Sequence, residues 1–431
     1  MAGSHRTARH AATQPIPIPK GARPGTSPRG FWTVAAVLGL SLTAASSPTP
    51  LYGVYAARWG FSAITLTVVF SVYAVALLAA LLAFGTLSDA IGRKPVVLLA
   101  LALQVISLLC FIAATGVGWL LAARVAQGAA TGLASAGVSA ALLDLQPARR
   151  PGRAALVNAL VSTGGLGAGA LGSGALVEYA PHPDRLVYIV LLLVAGVLLA
   201  GVRFRVDETI TDRTRPRLWS GIAVPEQARP TFLAAVPCLA ATLALGGLYL
   251  SLGPSLAGDL SHSHNHLLGG GVPAMLCGTG ALSIAALRSW SARTCMIAGC
   301  ISLTVGPALT VVALSVSDAG LFYASTVVAG VGFGVGYLGA FRSLVVLAAP
   351  EHRAALVSAI YVVAYTAFSV PVVVAGVIDT HIGLRDTATG FLAVLAVLAL
   401  TALIATLRTA PPAQPVVATP LPAGLNDPHS S

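Results

Sequence analysis

The feature that most constrains this chain is its succession of apolar runs, each about 20 residues long, the length a helix needs to cross the hydrocarbon of a bilayer. Only 9% of the 431 residues are Asp, Glu, Lys or Arg, against about a quarter in a soluble domain. So little charge cannot cover a water-facing surface. With 56% hydrophobic residues and a mean hydropathy of +0.85, the class is an all-α, polytopic membrane protein.

The runs lie near 31–55, 63–84, 95–115, 118–145, 154–179, 186–203, 231–257, 267–287, 294–316, 319–347, 354–378 and 387–407. Twelve transmembrane helices are expected, six on each side of the longest polar connection, 204–230. Residues 1–29 are rich in Pro, Arg, Ser and Thr and read as a disordered tail. A signal peptide is not expected, because the first apolar run starts late, is too long and leads straight into more spans. Residues 409–431, rich in Pro and Ala, read as a second tail.

Orientation follows from Lys and Arg, which stay on the cytoplasmic side of a membrane. With the N-terminus inside, the internal segments hold 20 of the 25 basic residues. They fall in the N-terminal tail, at Arg93 and Lys94, at Arg149, Arg150 and Arg153, through 203–229, and at Arg288, Arg293, Arg353 and Arg408. The external loops keep Arg58, Arg185 and Arg385, and Arg124 and Arg342 lie inside spans. Both termini are therefore expected in the cytoplasm. The net charge of +11 faces the anionic leaflet, so no nucleic-acid partner is called for.

The chain also repeats itself. Residues 153–157 and 353–357 both read R-A-A-L-V. Gly128 and Gly132 match Gly330 and Gly334, and Arg93 matches Arg293, at offsets close to 200. Two pseudo-symmetric halves, 30–203 and 231–408, are expected, with the substrate site between them near the midplane.

Between the second and third runs, Gly85 to Pro95 reads G-T-L-S-D-A-I-G-R-K-P. Three charges in six positions need a reason in so apolar a chain. The segment resembles the loop signature of the major facilitator superfamily at Gly85, Asp89, Gly92, Arg93 and Lys94, with Ala90 where an Arg is usual. The fourth run begins L-A-A-R-V-A-Q-G, similar to the family's Arg-x-x-Gln-Gly element at Arg124, Gln127 and Gly128. The fifth run holds G-G-L-G-A-G-A-L-G-S-G, similar to the Gly-rich fifth helix of the family's exporters, although Ala168 follows Gly167 where they have Pro. The resemblance covers residues 31–408. It implies a bacterial, twelve-span transporter of the inner (cell) membrane with the major facilitator fold.

The loop has its own physical logic. Gly85 and Gly92 permit a tight turn between antiparallel helices, and Pro95 suits the first turn of the next helix. Asp89 can reach a neighbouring helix N-terminus. The resemblance implies that Asp89 contacts the eleventh helix and that Arg93 pairs with an acid ending the fourth, which would be Asp144. Together these residues would latch the cytoplasmic side. At the matching place in the second half, A-L-R-S-W-S-A-R keeps Arg293 but has Ser289 in place of the acid. Membrane anchoring thus accounts for both basic residues but not for Asp89.

Arg124 is the costliest residue to place in a membrane, at least about 2.5–3.5 kcal/mol at a helix centre, so it should face a cavity or a partner. It reads either as lining a central cavity together with Gln127 or as a structural group bonded to carbonyls or Gln127. Ser46, Ser47, Thr49 and Tyr52, in S-S-P-T-P-L-Y, are further cavity candidates. Pro48, Pro50, Pro254 and Pro371 mark kinks in the first, seventh and eleventh spans. Two G-x-G-x-x-G matches lie inside spans with no preceding strand, which is the wrong context for nucleotide binding. Gly165, Gly169, Gly330 and Gly334 read instead as helix-packing positions.

His262, His264 and His266 read as a solvated external loop, and Glu178 with Asp184 as rim residues that could gate. The five cysteines lack metal-ligand spacing. No metal or cofactor is expected, and no nucleophile–base pair suggests an enzyme. Without a Walker-type loop, transport would be gradient-driven. The motif set favours a secondary transporter that exports small amphipathic compounds, expected to act as a monomer. Protons are the candidate coupling ion, although no span has an Asp or Glu at its centre and Asp89, Asp144 and Glu178 are the nearest carboxylates. An importer of an anionic or sugar-like solute anchored by Arg124, and a non-transporting sensor, are the alternatives.

Overall fold

The structure is a computed structural model and describes residues 28–85, 87–147, 149, 152–208, 221–263, 265–345 and 350–408. Residues 1–27 of the expected first tail, the whole of the second, the middle of the linker, and Thr86, Arg150 and His264 lie outside the described residues. Those residues form an all-helical bundle, since a spanning segment in hydrocarbon must satisfy its backbone within itself. Before the linker come α1 (Pro28–Ser46), α2 (Tyr52–Trp59), α3 (Ala63–Phe84), α4 (Leu87–Ile91), α5 (Arg93–Ile112), α6 (Val117–Leu145), α7 (Arg153–Tyr179) and α8 (Pro183–Arg205). A short 3-10 turn at Glu226–Ala228 leads into α9 (Arg229–Ser251), α10 (Gly253–Ser261), α11 (His266–Ala286), α12 (Ala292–Val316), α13 (Ala319–Val345), α14 (Pro350–Ile382) and α15 (Leu384–Arg408).

Eleven of these helices are long and apolar enough to cross a membrane. Their limits follow the apolar runs, and α3 coincides with 63–84. The expected first span at 31–55 is not one helix. It stops at Ser46, turns through 47–51 and resumes as α2. Pro48 and Pro50 have no N–H to donate, and Ser47 Oγ bonds back to the Thr43 carbonyl at 2.7 Å. The seventh span breaks in the same way, α9 passing to α10 at Leu252 with Pro254 in the new first turn. By contrast α14 continues through Pro371. Where helices start in polar loops, side chains cap them. Ser62 accepts from the Thr65 N–H, Asn265 from Leu267 and Ser291 from Thr294, each satisfying an otherwise orphan donor.

Polar contacts identify the two ends of the bundle. At one end Arg93 meets Asp144, Lys94 meets the Arg203 carbonyl, Arg293 meets the Leu407 carbonyl and Arg342 meets the Arg288 carbonyl. This is the basic end. At the far end Arg58 pairs with Asp184 at 2.7 Å and Arg385 with Asp259. Large apolar side chains such as Leu193, Val197, Val394 and Val397 stand exposed on α8 and α15, as a lipid-facing surface requires.

Glycines let three pairs of helices approach closely. Gly128 and Gly132 bring α6 against Tyr73–Ala80 of α3, and Gly330 and Gly334 bring α13 against Leu276–Ser283 of α11. A Cβ at Gly132 would lie 2.7 Å from the Leu77 carbonyl oxygen, and one at Gly330 would lie 2.7 Å from that of Leu276. Gly165 and Gly169 do the same for α7 against α1, where Gly39, Thr43 and Ser46 approach. Gly165, Gly169, Gly330 and Gly334 all sit at close helix contacts.

Candidate substrate cavity and its flanking contacts

Helices before and after the linker meet along two seams. In one, α7 runs against α11, where Gly174 and Gly270 leave room for backbone contact. In the other, α3 runs against α14, where Phe70 packs on Phe368 with ring centroids 5.1 Å apart and Ser71 Oγ donates to the Ser369 carbonyl at 3.2 Å. Near the far end of the first seam, Glu178 of α7 accepts from the backbone N–H of His266 at 2.9 Å. The seams hold the far half together.

Toward the basic end the two sides separate around a cavity of about 1070 Å³. Its walls differ. From α6 and α7 come hydroxyl and amide groups, Ser135, Ser139, Asn158, Ser162 and Thr163, with Ser139 Oγ bonded to Asn158 Oδ1 at 3.0 Å. From α13 and α14 come rings, Phe333, Tyr337, Phe341, Tyr361 and Tyr365. Tyr337 and Phe341 stack with centroids 5.7 Å apart. The mouth carries Arg153, Arg288 and Arg342. No Asp or Glu lines the cavity among the described residues. The hydroxyl, amide and aromatic residues of the two walls were not singled out in the sequence. The signal that could have found them is the i, i+4 aromatic stripe Phe333-Tyr337-Phe341, echoed by Tyr361-Tyr365.

The residues expected to line a central cavity lie elsewhere. Arg124 has no solvent exposure and sits beside the break between α1 and α2. Its Nη1 donates to the Ala45 carbonyl at 2.8 Å and to Gln127 Oε1 at 2.6 Å, and its Nε donates to Tyr52 Oη at 2.9 Å. A second guanidinium nitrogen also reaches Tyr52 Oη. Gln127 Nε2 donates to the Ala44 carbonyl at 2.9 Å. The guanidinium lies over Tyr73 and Phe111, 5.4 and 5.9 Å from their centroids. Breaking a helix leaves carbonyls without intrahelical partners, and here Arg124 and Gln127 supply donors to two of them. Ser46, Ser47, Thr49 and Tyr52 are all buried at the same break, and none of the six lines the cavity. Thr49 Oγ1 is buried without a hydrogen-bond partner.

At the basic end Arg93 is the hub. Its Nη1 reaches Asp89 at 2.6 Å and Ser88 Oγ at 2.6 Å, and its Nε reaches Asp144 at 3.0 Å. The expected Arg93–Asp144 contact is therefore present. The start of the eleventh span, implied as the partner of Asp89, borders 346–349, outside the described residues. Of the two loop glycines, Gly85 has ordinary helical dihedrals, φ −57° and ψ −31°, so the expectation that it relieves a tight turn is corrected. Gly92 has φ +109°, where a side chain is strained.

Glu208, an acid of the linker, explains the other requirement at Gly92. Its carboxylate accepts from the backbone N–H groups of Arg93 at 2.9 Å and Lys94 at 3.1 Å. It thus caps the N-terminus of α5, where the helix dipole favours an anion. A Cβ on Gly92 would collide with that carboxylate. Lys94 Nζ bonds the Arg203 carbonyl at 2.9 Å, at the end of α8, and Arg293 bonds the Leu407 carbonyl at 3.3 Å, at the end of α15.

A multi-span helical bundle with a large cavity between two helix sets is the architecture of a membrane transporter. The chain belongs to the Major Facilitator Superfamily, whose sequence profile matches residues 32–372. It is a secondary-active transporter that moves a small solute. No curated protein sequence matches the chain. Among solved structures it resembles a bacterial homolog of the human lysosomal transporter Spinster in an inward-facing, unoccupied conformation, with a TM-score of 0.71 and 14% identity over 90% of this chain and 98% of that one. It also resembles a POT family transporter in complex with 5-aminolevulinic acid, with a TM-score of 0.70 and 13% identity over 88% and 96% of the two chains. At these identities the likeness is one of fold.

Proposed function

We propose that this protein exports small amphipathic compounds across a bacterial inner membrane by alternating access. The observation that carries the reading is the cavity of about 1070 Å³ with one hydroxyl-rich and one aromatic wall. It suits a solute that has both a polar edge and an apolar face. In this reading α1 and α2 together form the first of twelve spans. Two six-span halves, 30–203 and 231–408, are joined by a cytoplasmic linker at 204–230, and the protein acts as a monomer. The basic end is cytoplasmic by the positive-inside rule, with both termini there. The conformation is then inward-facing, as is the Spinster homolog by its description.

Arg93 and Asp144 then hold Asp89 ready as the cytoplasmic latch, on a loop fixed by Gly92 and Glu208, and the latch engages the other helix set when the cytoplasmic side closes. Arg124, Gln127 and Tyr52 brace the break in the first span. Ser46, Ser47 and Thr49 stand at that break, to be met by solute when the opposite side opens. Coupling to protons is assigned to carboxylates outside the cavity, since none lines it among the described residues. Glu178, which joins α7 to α11, is the best placed of Asp89, Asp144 and Glu178.

The deciding experiment is flux in proteoliposomes with an imposed pH gradient, using a panel of labelled amphipathic solutes. Solute should accumulate against its own gradient and collapse when the pH gradient is dissipated. Flux indifferent to pH would remove proton coupling, and binding without flux would favour a sensor.

A further inference from the structure

We infer that the solute this cavity takes is an organic anion with an aromatic body. The inference rests on the reading that the cavity is the transport site and adds the chemistry of its occupant. The aromatic wall is continuous, with Phe333, Tyr337 and Phe341 one turn apart along α13 and Tyr361 and Tyr365 facing from α14. A planar apolar body covers such a wall with little loss of conformational freedom and gains ring–ring contact. An aliphatic chain would forfeit that contact.

The charge of the occupant follows from the arginines. Elsewhere in the structure Arg58, Arg93, Arg229 and Arg385 each hold a carboxylate. Arg153, Arg288 and Arg342 line the cavity and have no ion pair among the described residues. Arg153 lies over Phe31 and Trp32, 5.4 Å from each centroid, which occupies its face but not its charge. Arg342 is fixed on the aromatic wall by one bond, Nη1 to the Arg288 carbonyl at 3.1 Å, with its other donors unassigned.

The positive-inside rule explains why arginines gather at this end. It does not explain why three of them face one cavity whose described lining holds no acid. A carboxylate or sulfonate entering beside Arg342 and Arg288 makes charge-assisted hydrogen bonds. A cation entering the same space meets like charge and no carboxylate, and the loss of its hydration goes uncompensated. Arg124, buried against carbonyls, is not part of this arrangement.

The test uses a matched set of probes, namely 2-naphthoate, its methyl ester and 2-naphthylmethylammonium, titrated calorimetrically into the full-length protein in lipid nanodiscs. Naphthoate should bind and the ammonium compound should bind at least about tenfold more weakly. Arg342→Gln should weaken naphthoate by about tenfold and leave the ester unchanged, and Arg288→Gln should add to it. Arg408→Gln, at the same end but outside the cavity, is the control for general surface charge. The inference is overturned if the cation binds as well as the anion, if naphthoate fails to bind at millimolar concentration, or if Arg342→Gln and Arg408→Gln act alike. Flux of the same probes into proteoliposomes separates the two readings. Arginine-dependent binding without flux would sink the transport role and keep the ligand class. Flux of the cation alone would do the reverse.

Discussion

The carboxylate of Glu178, in the last turn of α7, accepts a hydrogen bond from the backbone N–H of His266, the first residue of α11, at 2.9 Å. The two residues belong to opposite sides of the linker and close the end of the bundle remote from the cavity mouth. The N-terminus of α11 carries partial positive charge, so an ionised Glu178 is held there both as acceptor and as anion. Beneath it Gly174 and Gly270 let the two backbones touch.

Glu178→Ala should loosen this closure. A hydrogen bond to a charged group contributes about 1.5–3 kcal/mol, enough to shift a two-state equilibrium about tenfold or more. Spin labels at Pro181 and Val316, on a background lacking the five native cysteines, should report a longer far-end distance in the variant. An unchanged distance distribution would show that the glycine seam alone holds the closure. If protons act at this contact, Glu178→Gln should also blunt the response of flux to external pH while leaving exchange at fixed pH in place.

Gly92→Ala is expected to destabilise the loop at the basic end. The residue would keep an unfavourable φ of +109° and push the Glu208 carboxylate off the N-terminus of α5. Strain of this kind costs roughly 1–3 kcal/mol. Glu208→Ala removes the cap without the strain and should cost about 1 kcal/mol. Thermal unfolding in detergent should therefore rank wild type above Glu208→Ala above Gly92→Ala. The reverse order would mean that the cap, not the backbone, dominates.

Arg93 serves Asp89, Asp144 and Ser88 at once through its planar fork. A lysine presents one ammonium and cannot reproduce that geometry. Arg93→Lys should insert normally, since the positive charge is kept, yet lose most transport. Asp89→Asn should do likewise, because anchoring to the membrane never required the acid. Surface expression measured beside initial transport rate checks both, and wild-type rates in either variant would reduce the loop to an anchor.

Arg124→Leu should be the most damaging of these changes to the fold. It strips donors from the Ala45 carbonyl, Gln127 and Tyr52 at a buried break in the first span. Leaving such groups unsatisfied costs about 1–3 kcal/mol each. Tyr52→Phe removes one partner and should be milder. The expected readout is a fall in the yield of monodisperse protein and in melting temperature, in that order of severity. A stable Arg124→Leu variant with altered solute selectivity would instead argue that Arg124 faces the pathway in another conformation.

The charged residues of the basic-end loop were legible before folding and the cavity was not, and the reason differs from residue to residue. Asp89, Arg93 and Asp144 could be read because charge is rare here and each acid or base near a helix end stands out. Arg124 stood out for the same reason, but its surroundings did not. Whether a lone arginine meets a cavity or the carbonyls of a broken helix depends on how α1 and α6 pack. Glu208 was hidden because its partners are backbone N–H groups 115 and 114 positions away, and backbone donors leave no mark in composition. The aromatic wall was hidden because rings inside an apolar run look like any other apolar residue.

By itself, then, the sequence determined the class, the places of the spans and which loops carry positive charge, because bilayer thickness and charge burial act on each segment separately. The tertiary structure alone decided which faces turn inward. In a membrane the lipid side and the protein side of a helix are both apolar, so the periodicity that marks a buried face in water is weak. Close approach at Gly128, Gly132, Gly330 and Gly334, the broken first and seventh spans, and the two-walled cavity all arise from how the helices meet.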